Sequence, residues 1–166
     1  MQLMLNICDE FASDFDIVFN SKKSFVIRIG YRYNVKCENL TLAGALLVQA
    51  KKCKYLGVNI LCHSKFKCEF DGSKTNFYKT FNCILSKCHS QDSELILVHL
   101  LKTTCTPLLL YCIEVMPFKA SDFKSLDNCI NVAVMKIFNV QSAVNVNNIR
   151  HIFNLNSIES VAYNRL

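Results

Sequence analysis

Apolar residues recur at three- and four-residue steps along the first 15 positions of the chain. The apolar positions share one helical face and the acidic positions the other, which predicts an amphipathic helix over this stretch. The apolar set is Leu3 or Met4, Ile7 or Cys8, Phe11 and Phe15, and the acidic set is Asp9, Glu10 and Asp14. Because the helix begins uncapped at residue 1 and carries an apolar stripe, we expect the chain to be a piece of a longer protein.

Short apolar runs separated by polar or glycine-containing turns follow as far as residue 61, which is typical of strands. Asn20 and Ser21 predict a turn, because their side chains bond the nearby backbone. Gly44 lies at the centre of a predicted hairpin. The expected strands are 17–19, 24–29, 40–42, 46–48 and 55–61. The first third is therefore predicted to be a small, mostly antiparallel sheet with one helix.

From Phe66 to the end, the apolar period becomes that of helices, so the predicted fold class is α+β. Pro107 is expected to kink one helix, because proline removes a backbone donor and clashes with the preceding turn. Ser93, Ser121 and Asn156 are the expected caps. The expected helical stripes are Phe70, Phe77, Phe81, Ile84 and Leu85, then Leu97, Leu100 and Leu101, then Phe123, Leu126, Ile130, Val134 and Ile137.

Composition favours a folded chain with a polyanionic partner. Hydrophobic residues make up 51% and charged residues 19%, with a formal net charge of +6. Eight lysines fall between Lys51 and Lys87, against only Glu69 and Asp71, and such a basic excess attracts polyanions. The most apolar region, 95–116, is interrupted by charges, so no secretory or membrane segment is predicted. We expect an intracellular protein, nuclear or cytoplasmic, without a membrane partner.

The ten cysteines suggest a disulfide framework or a metal site, but their spacing supports neither. No two of them form a C-x-x-C pair, so reduced thiols within the core are the preferred interpretation and no metal ligand is assigned. A cysteine-rich metal-binding domain stays open as an alternative. Cys62 and His63 do not suit a nucleophile–base pair, because adjacent residues of a strand point to opposite faces.

Several segments together resemble the reverse transcriptases of non-LTR (LINE-type) retrotransposons, which are RNA-directed DNA polymerases. The similarity rests on the order and spacing of the segments and covers essentially the whole chain. It implies that 1–62 is the C-terminal part of a palm subdomain and that 63–166 holds a helical thumb and the helices after it. The segments that carry it are Phe19–Ser24, the hairpin around Gly44, Lys54–Val58, Tyr78–Leu85 and Pro107–Tyr111.

The resemblance also implies roles for individual residues. Lys23 would lie near the incoming triphosphate and assist the leaving pyrophosphate as a catalytic residue, with Lys22 able to substitute in register. The primer-grip motif of the family falls on Tyr55, Leu56 and Gly57. Glycine permits close approach to a sugar–phosphate chain and lysines attract phosphates, so an RNA/DNA template–primer is the implied partner. The implied nucleic-acid-binding set is Lys51, Lys52, Lys54, Tyr55, Leu56 and Gly57.

Each of these residues also has a purely structural interpretation. Lys23 is equally a solvated turn residue. The lysines at 51–54 suit an exposed strand edge that charge keeps soluble. Tyr55 suits a core position.

One departure from the family bears on activity. Such polymerases hold two magnesium ions with paired carboxylates, and the aromatic-x-Asp-Asp pair of the family is absent from this sequence. Asp9, Asp14 and Asp16 lie on or beside the first helix and do not replace it. We therefore expect this chain to bind no cofactor and to be inactive alone. The alternatives are a non-enzymatic nucleic-acid-binding module and an inert retroelement relic.

Overall fold

The computed structural model describes residues 1–88 and 94–165, and the chain divides into two units, Met1–Glu69 and Phe70–Leu166. The predicted α+β class is confirmed, with an N-terminal helix, small sheets and a helical C-terminal region. The division falls after Glu69 instead of after residue 62. The strand at 67–69 pairs with a strand of the first unit and so belongs to it.

The first unit contains one α-helix and seven short strands. Its strands form three small sheets: a parallel pair β1–β4, an antiparallel hairpin β2–β3, and an antiparallel sheet of order β5-β6-β7. A single-turn 3₁₀ helix lies at Ser21–Lys23. The elements are α1 Gln2–Asp14, β1 Phe25–Val26, β2 Thr41–Leu42, β3 Ala45–Leu46, β4 Val48–Gln49, β5 Lys52–Tyr55, β6 Val58–Leu61 and β7 Lys67–Glu69.

The strand expected at 17–19 does not form, because the end of α1 takes up its backbone. Asp16 adopts a left-handed φ of 52°, and the Ile17 amide donates to the Ala12 carbonyl at 2.8 Å. This closure satisfies a carbonyl that the helix end would otherwise leave without a donor. The chain therefore turns sharply after the helix instead of extending.

Helix α1 contacts the β2–β3 hairpin through its polar side. The Gln2 side-chain amide donates to the Thr41 carbonyl at 3.0 Å and accepts from the Thr41 amide at 2.9 Å. Both carboxylate oxygens of Asp9 accept from the Ala43 amide, at 2.9 and 3.0 Å. Gln2 and Asp9 are seven residues apart and so share a helical face. The apolar stripe is left exposed, at Leu3, Met4, Ile7, Phe11 and Phe15.

The second unit is helical throughout its described length. A π-helical segment, Leu101–Cys105, lies between α3 and α4, directly before the predicted kink at Pro107. Proline has no backbone N–H to donate to the preceding turn. In the wider turn before Pro107, the Thr106 amide and hydroxyl both donate to the Leu101 carbonyl instead. The helices are α2 Asp71–Lys87, α3 Glu94–Leu100, α4 Thr106–Leu109, α5 Ala120–Phe138, α6 Ala143–Ile152 and α7 Ile158–Tyr163, with a 3₁₀ turn at Ile113–Val115.

The core of the second unit is built from the predicted stripes of α2 and α5. Phe77 and Phe81 of α2 are fully buried and stack, with ring centroids 6.0 Å apart and 13° between their planes. They belong to one cluster with the buried residues of α5, so the phenylalanine stripe serves packing. The α5 residues are Leu126, Cys129, Ile130, Ala133, Val134 and Ile137.

Two expected helix caps are displaced. The N-cap of α5 is Lys119, whose amide donates to the Asp122 carboxylate at 2.9 Å, so Ser121 lies within the helix. Ser157 caps α7 by accepting from the Ser160 amide, one residue after Asn156. The expected cap at Ser93 lies outside the described residues.

Arg150, near the C-terminal end of α6, joins this helix to the middle of α5 and to the segment that leads into α7. Its guanidinium donates to Asn131 at 2.8 Å, to Asp127 at 3.0 Å, and to the carbonyls of Leu155 and Asn156 at 3.2 and 3.1 Å. The same Asp127 oxygen accepts from the amide that begins α7, at 3.0 Å. The Arg150 side chain is only 11% exposed, so the three helices depend on one nearly buried cation.

Candidate nucleic-acid interface

The segment expected as one strand at 55–61 comprises the last residue of β5, a two-residue turn and strand β6. Strands β5 and β6 pair antiparallel, with Tyr55 opposite Val58. Leu56 and Gly57 form the two-residue turn, with left-handed φ values of 45° and 84°. Such turns match the twist of the strands and favour glycine. Gly57 therefore has a structural role in the turn, apart from any close approach to a backbone. We call residues 51–61 the basic hairpin.

The alternation of side chains along β5 separates the candidate residues. Lys52 and Lys54 lie opposite Leu61 and Asn59 and share their face of the sheet, whereas Tyr55 faces the other side. On the lysine face, β7 adds Lys67 and Glu69 through its pairing with β6. The six-residue set predicted from the sequence is thus distributed over both faces and the turn.

Lys52 is already paired within the protein. Its ammonium contacts the Glu69 carboxylate across the central strand, and the Asn59 amide donates to the same oxygen at 3.2 Å. The hydrogen bond from Lys52 is the main reason that the pKa of Glu69 lies below its ordinary value. Glu69 therefore stays ionised at neutral pH, and its charge offsets that of Lys52.

The end of the basic hairpin is well exposed. Tyr55 is 64% and Leu56 71% exposed, so Tyr55 does not occupy the core position that was its structural alternative. Lys51 and Lys54 are exposed as well. An exposed aromatic ring and exposed cations on one hairpin are side chains of the kinds that bind nucleic-acid bases and backbone phosphates.

The turn that carries Lys23 forms as expected. The Asn20 side chain accepts from the Lys23 amide at 3.2 Å, and the Ser24 hydroxyl donates to the Asn20 carbonyl at 2.9 Å. Lys22 and Lys23 are exposed at its surface. This geometry fits a solvated turn as well as a ligand contact.

Lys23 and the basic hairpin lie at opposite ends of one strand pair. Strands β1 and β4 run parallel, with Phe25 opposite Val48. Lys23 precedes β1, whereas Lys51 follows β4. Two residues placed before one strand and after its parallel neighbour are separated by the length of the pair. Lys23 and Lys51 therefore lie at opposite ends of this short strand pair.

The described residues do not fit a pair of magnesium ions. Among them, no three His, Cys, Asp or Glu side chains come close enough to hold a metal ion. The carboxylate of Asp9 is engaged by the Ala43 amide, and Asp16 lies in the left-handed turn after α1. Neither aspartate presents the paired carboxylates that such ions need.

The cysteines are free thiols in varied surroundings. Cys53, Cys105 and Cys129 are buried, whereas Cys8 and Cys83 are exposed. Burial raises the pKa of the Cys105 thiol to about 11, which makes it a poor nucleophile at neutral pH. The expectation of reduced core thiols thus describes three of the ten.

The loop between β1 and β2 carries basic residues that the sequence analysis did not select. The Arg28 guanidinium donates to the carbonyls of Arg32 and Val35, at 3.3 and 3.1 Å, and so holds the loop in shape. Arg32 and Lys36 are exposed on it. The run YRYNVK at 31–36 combines aromatic and basic residues and is the signal that could have identified it.

No protein-family model matches the chain, and neither a curated protein nor a solved structure matches it. Over the described residues, no single helix has the length and apolar character to cross a membrane. Helices α5 and α6 reach that threshold only when taken together, and they are bent by 91° at the break between them.

Proposed function

We propose that this chain is the template–primer-binding palm and thumb part of a reverse transcriptase of the non-LTR (LINE-type) kind, an RNA-directed DNA polymerase. The basic hairpin contacts the sugar–phosphate backbone of an RNA/DNA duplex. Because the proposed partner is a nucleic acid, we also propose that the protein is located in the nucleus or the cytoplasm.

One observation carries this proposal: the end of the basic hairpin exposes Tyr55 and Leu56 to solvent, and Lys51 and Lys54 of the same hairpin are exposed as well. Lys54 lies on the face of the sheet opposite Tyr55. A buried Tyr55 would remove the aromatic contact, and a β5 without exposed lysines would remove the attraction to phosphates. Lys52 contributes less because Glu69 neutralises it. The choice of an RNA/DNA duplex as the partner comes from the resemblance, because the order of the segments is similar to that of the reverse transcriptases.

We expect the Lys51→Gln/Lys54→Gln variant to bind an RNA/DNA heteroduplex about 10-fold more weakly at 50 mM salt than the unaltered chain. Two lost phosphate contacts should also flatten the slope of log Kobs against log salt by about 2. Fluorescence anisotropy with a labelled blunt heteroduplex, repeated at several salt concentrations, measures both quantities.

The matched control is Lys102→Gln/Lys124→Gln, which removes the same charge from exposed helical positions of the second unit. Its effect on affinity should be small. An equal loss of heteroduplex affinity in both double variants would show that net charge alone drives binding. A failure of the unaltered chain to bind the heteroduplex at low salt would contradict the proposal. Lys52→Gln should weaken binding less than Lys54→Gln, because Lys52 is already paired.

We further expect this 166-residue chain to bind without extending a primer. Phosphoryl transfer in this family depends on metal ions held by paired aspartates, and no two aspartates are adjacent in the sequence. A primer-extension assay with magnesium and all four nucleotides should give no product above that of a heat-denatured sample. Nucleotide incorporation by the purified chain would contradict this part of the proposal.

A further inference from the structure

Two cavities, of about 510 and 660 Å³, adjoin the 31–37 loop, and the larger is lined by the loop together with residues 49–51 and 62 at the base of the basic hairpin. This larger cavity, at about 660 Å³, has the volume of a small-molecule site. The residues lining it are Tyr33, Asn34, Lys36, Gln49, Ala50, Lys51 and Cys62. We call it the loop cavity.

The walls of the loop cavity are fixed by hydrogen bonds. The Gln49 side chain accepts from the Cys37 amide at 2.9 Å and donates to the Val35 carbonyl at 3.4 Å. The Cys62 thiol donates to the Tyr33 carbonyl at 3.2 Å, and the Cys62 amide donates to the Lys51 carbonyl at 2.8 Å. The loop is thus tied to the strand ends on both sides. A cavity built in this way pays little ordering cost when a ligand enters.

The loop is anchored at its start as well. The Gly30 amide, at a φ of 125° that favours glycine, donates to the His63 carbonyl at 3.0 Å. The Tyr33 ring stacks on the His63 ring with centroids 5.5 Å apart and 25° between the planes. This contact fixes the orientation of the aromatic side chain that lines the cavity.

The charge of the loop cavity has one sign. Lys36 enters from the loop and Lys51 from the hairpin, and none of its lining residues is acidic. Two ammonium groups without a carboxylate favour an anion, and a phosphate is the anion that the neighbouring interface is proposed to meet. The loop cavity is larger than a phosphate group. The side-chain amides of Asn34 and Gln49 offer hydrogen-bonding groups for a base, and the Tyr33 ring offers a flat surface.

We propose that the loop cavity binds a single nucleotide unit, with Lys36 and Lys51 at its phosphate and Tyr33 and Asn34 beside its base. The unit is either an unpaired residue of the bound strand or a free nucleoside monophosphate, which share this chemistry. The proposal rests on the proposed function, which supplies the phosphate-containing strand and shares Lys51, whereas Lys36, Tyr33 and Asn34 lie outside the basic hairpin.

The test uses the full chain and its Lys36→Gln variant, with Lys65→Gln as the matched control. Lys65 is an exposed lysine of the same unit that does not line the cavity. Anisotropy compares a blunt heteroduplex with one that carries a short single-stranded overhang, and calorimetric titration with a nucleoside 5′-monophosphate tests the free ligand. We expect Lys36→Gln to weaken overhang binding about 5- to 10-fold and to lower its salt slope by about 1, with blunt-duplex binding unchanged.

Lys36→Gln, unlike Lys65→Gln, could lose saturable binding of the monophosphate while its affinity for the overhang duplex stays unchanged. That result would support the cavity as a binding site whose occupant is a free nucleotide. Equal weakening of blunt and overhang binding would place Lys36 on the duplex and overturn the proposal. So would a Lys36→Gln variant that matches Lys65→Gln on every substrate. The proposed function is tested separately, because it depends on Lys51 and Lys54 with the blunt duplex.

Discussion

Replacing Phe81 with alanine is expected to lower the free energy of unfolding of the helical unit by about 3 to 5 kcal/mol. Phe81 is 1% exposed and stacks on Phe77 within the main core cluster. Removing the ring leaves a cavity between α2 and α5, because packed helices collapse only in part around a deletion. Chemical denaturation followed by far-ultraviolet circular dichroism measures the loss.

Ile96→Ala is the matched control for this truncation. Ile96 lies on α3 of the same unit and is exposed, so its truncation should change stability by about 0.5 kcal/mol or less. A Phe81→Ala cost below about 1 kcal/mol would mean that the ring is not in the core.

Replacing Arg150 with methionine is expected to cost about 2 to 4 kcal/mol, although methionine keeps most of the aliphatic packing. The change removes the donor that serves Asp127 and Asn131 and the carbonyls of Leu155 and Asn156. Apart from the bond to the Asn156 carbonyl, these bonds are partly buried, so water does not fully replace them when they are lost. Urea unfolding, with hydrogen exchange of the α7 amides, locates the loss.

Three comparisons separate the effect of the Arg150 hydrogen-bond network from a general effect of charge. Arg165→Met removes an exposed pairing with Glu114 and should cost less than about 1 kcal/mol. Asp127→Asn keeps an acceptor for the α7 amide and should be milder than Asp127→Ala. A double-mutant cycle of Arg150 and Asp127 should give a coupling energy of at least 1 kcal/mol. Additive effects would contradict the network.

Local patterning predicted the helical unit well. The stripes of α2 and α5 identified Phe77, Phe81, Leu126, Ile130 and Val134, all of which are buried. A period of 3.6 residues repeated over long segments leaves little choice about which face enters the core. The capping positions were displaced by a residue or two, because several polar residues near each helix start could serve and only the chain path selects one.

Patterning failed where polar bonds decide the arrangement. The apolar stripe of α1 is exposed, because Gln2 and Asp9 hold the opposite side against the β2–β3 hairpin. In the basic hairpin, the chain turns back at Leu56–Gly57, within the segment expected to be one strand at 55–61. The ion pair with Glu69 then separates Lys52 from its neighbours. None of these outcomes follows from residue spacing within a single segment.

The sequence by itself determined the α+β class, the helical second unit, the turn at Asn20 and the basic character of residues 51–54. These are local properties, set by periodicity, side-chain capping and composition. Only the tertiary structure decided which lysines stay unpaired, which face of α1 meets the hairpin, and that Lys36 and Lys51 line one cavity. The partners in those contacts lie up to 39 residues apart, and the bonds between them depend on how the chain folds back on itself.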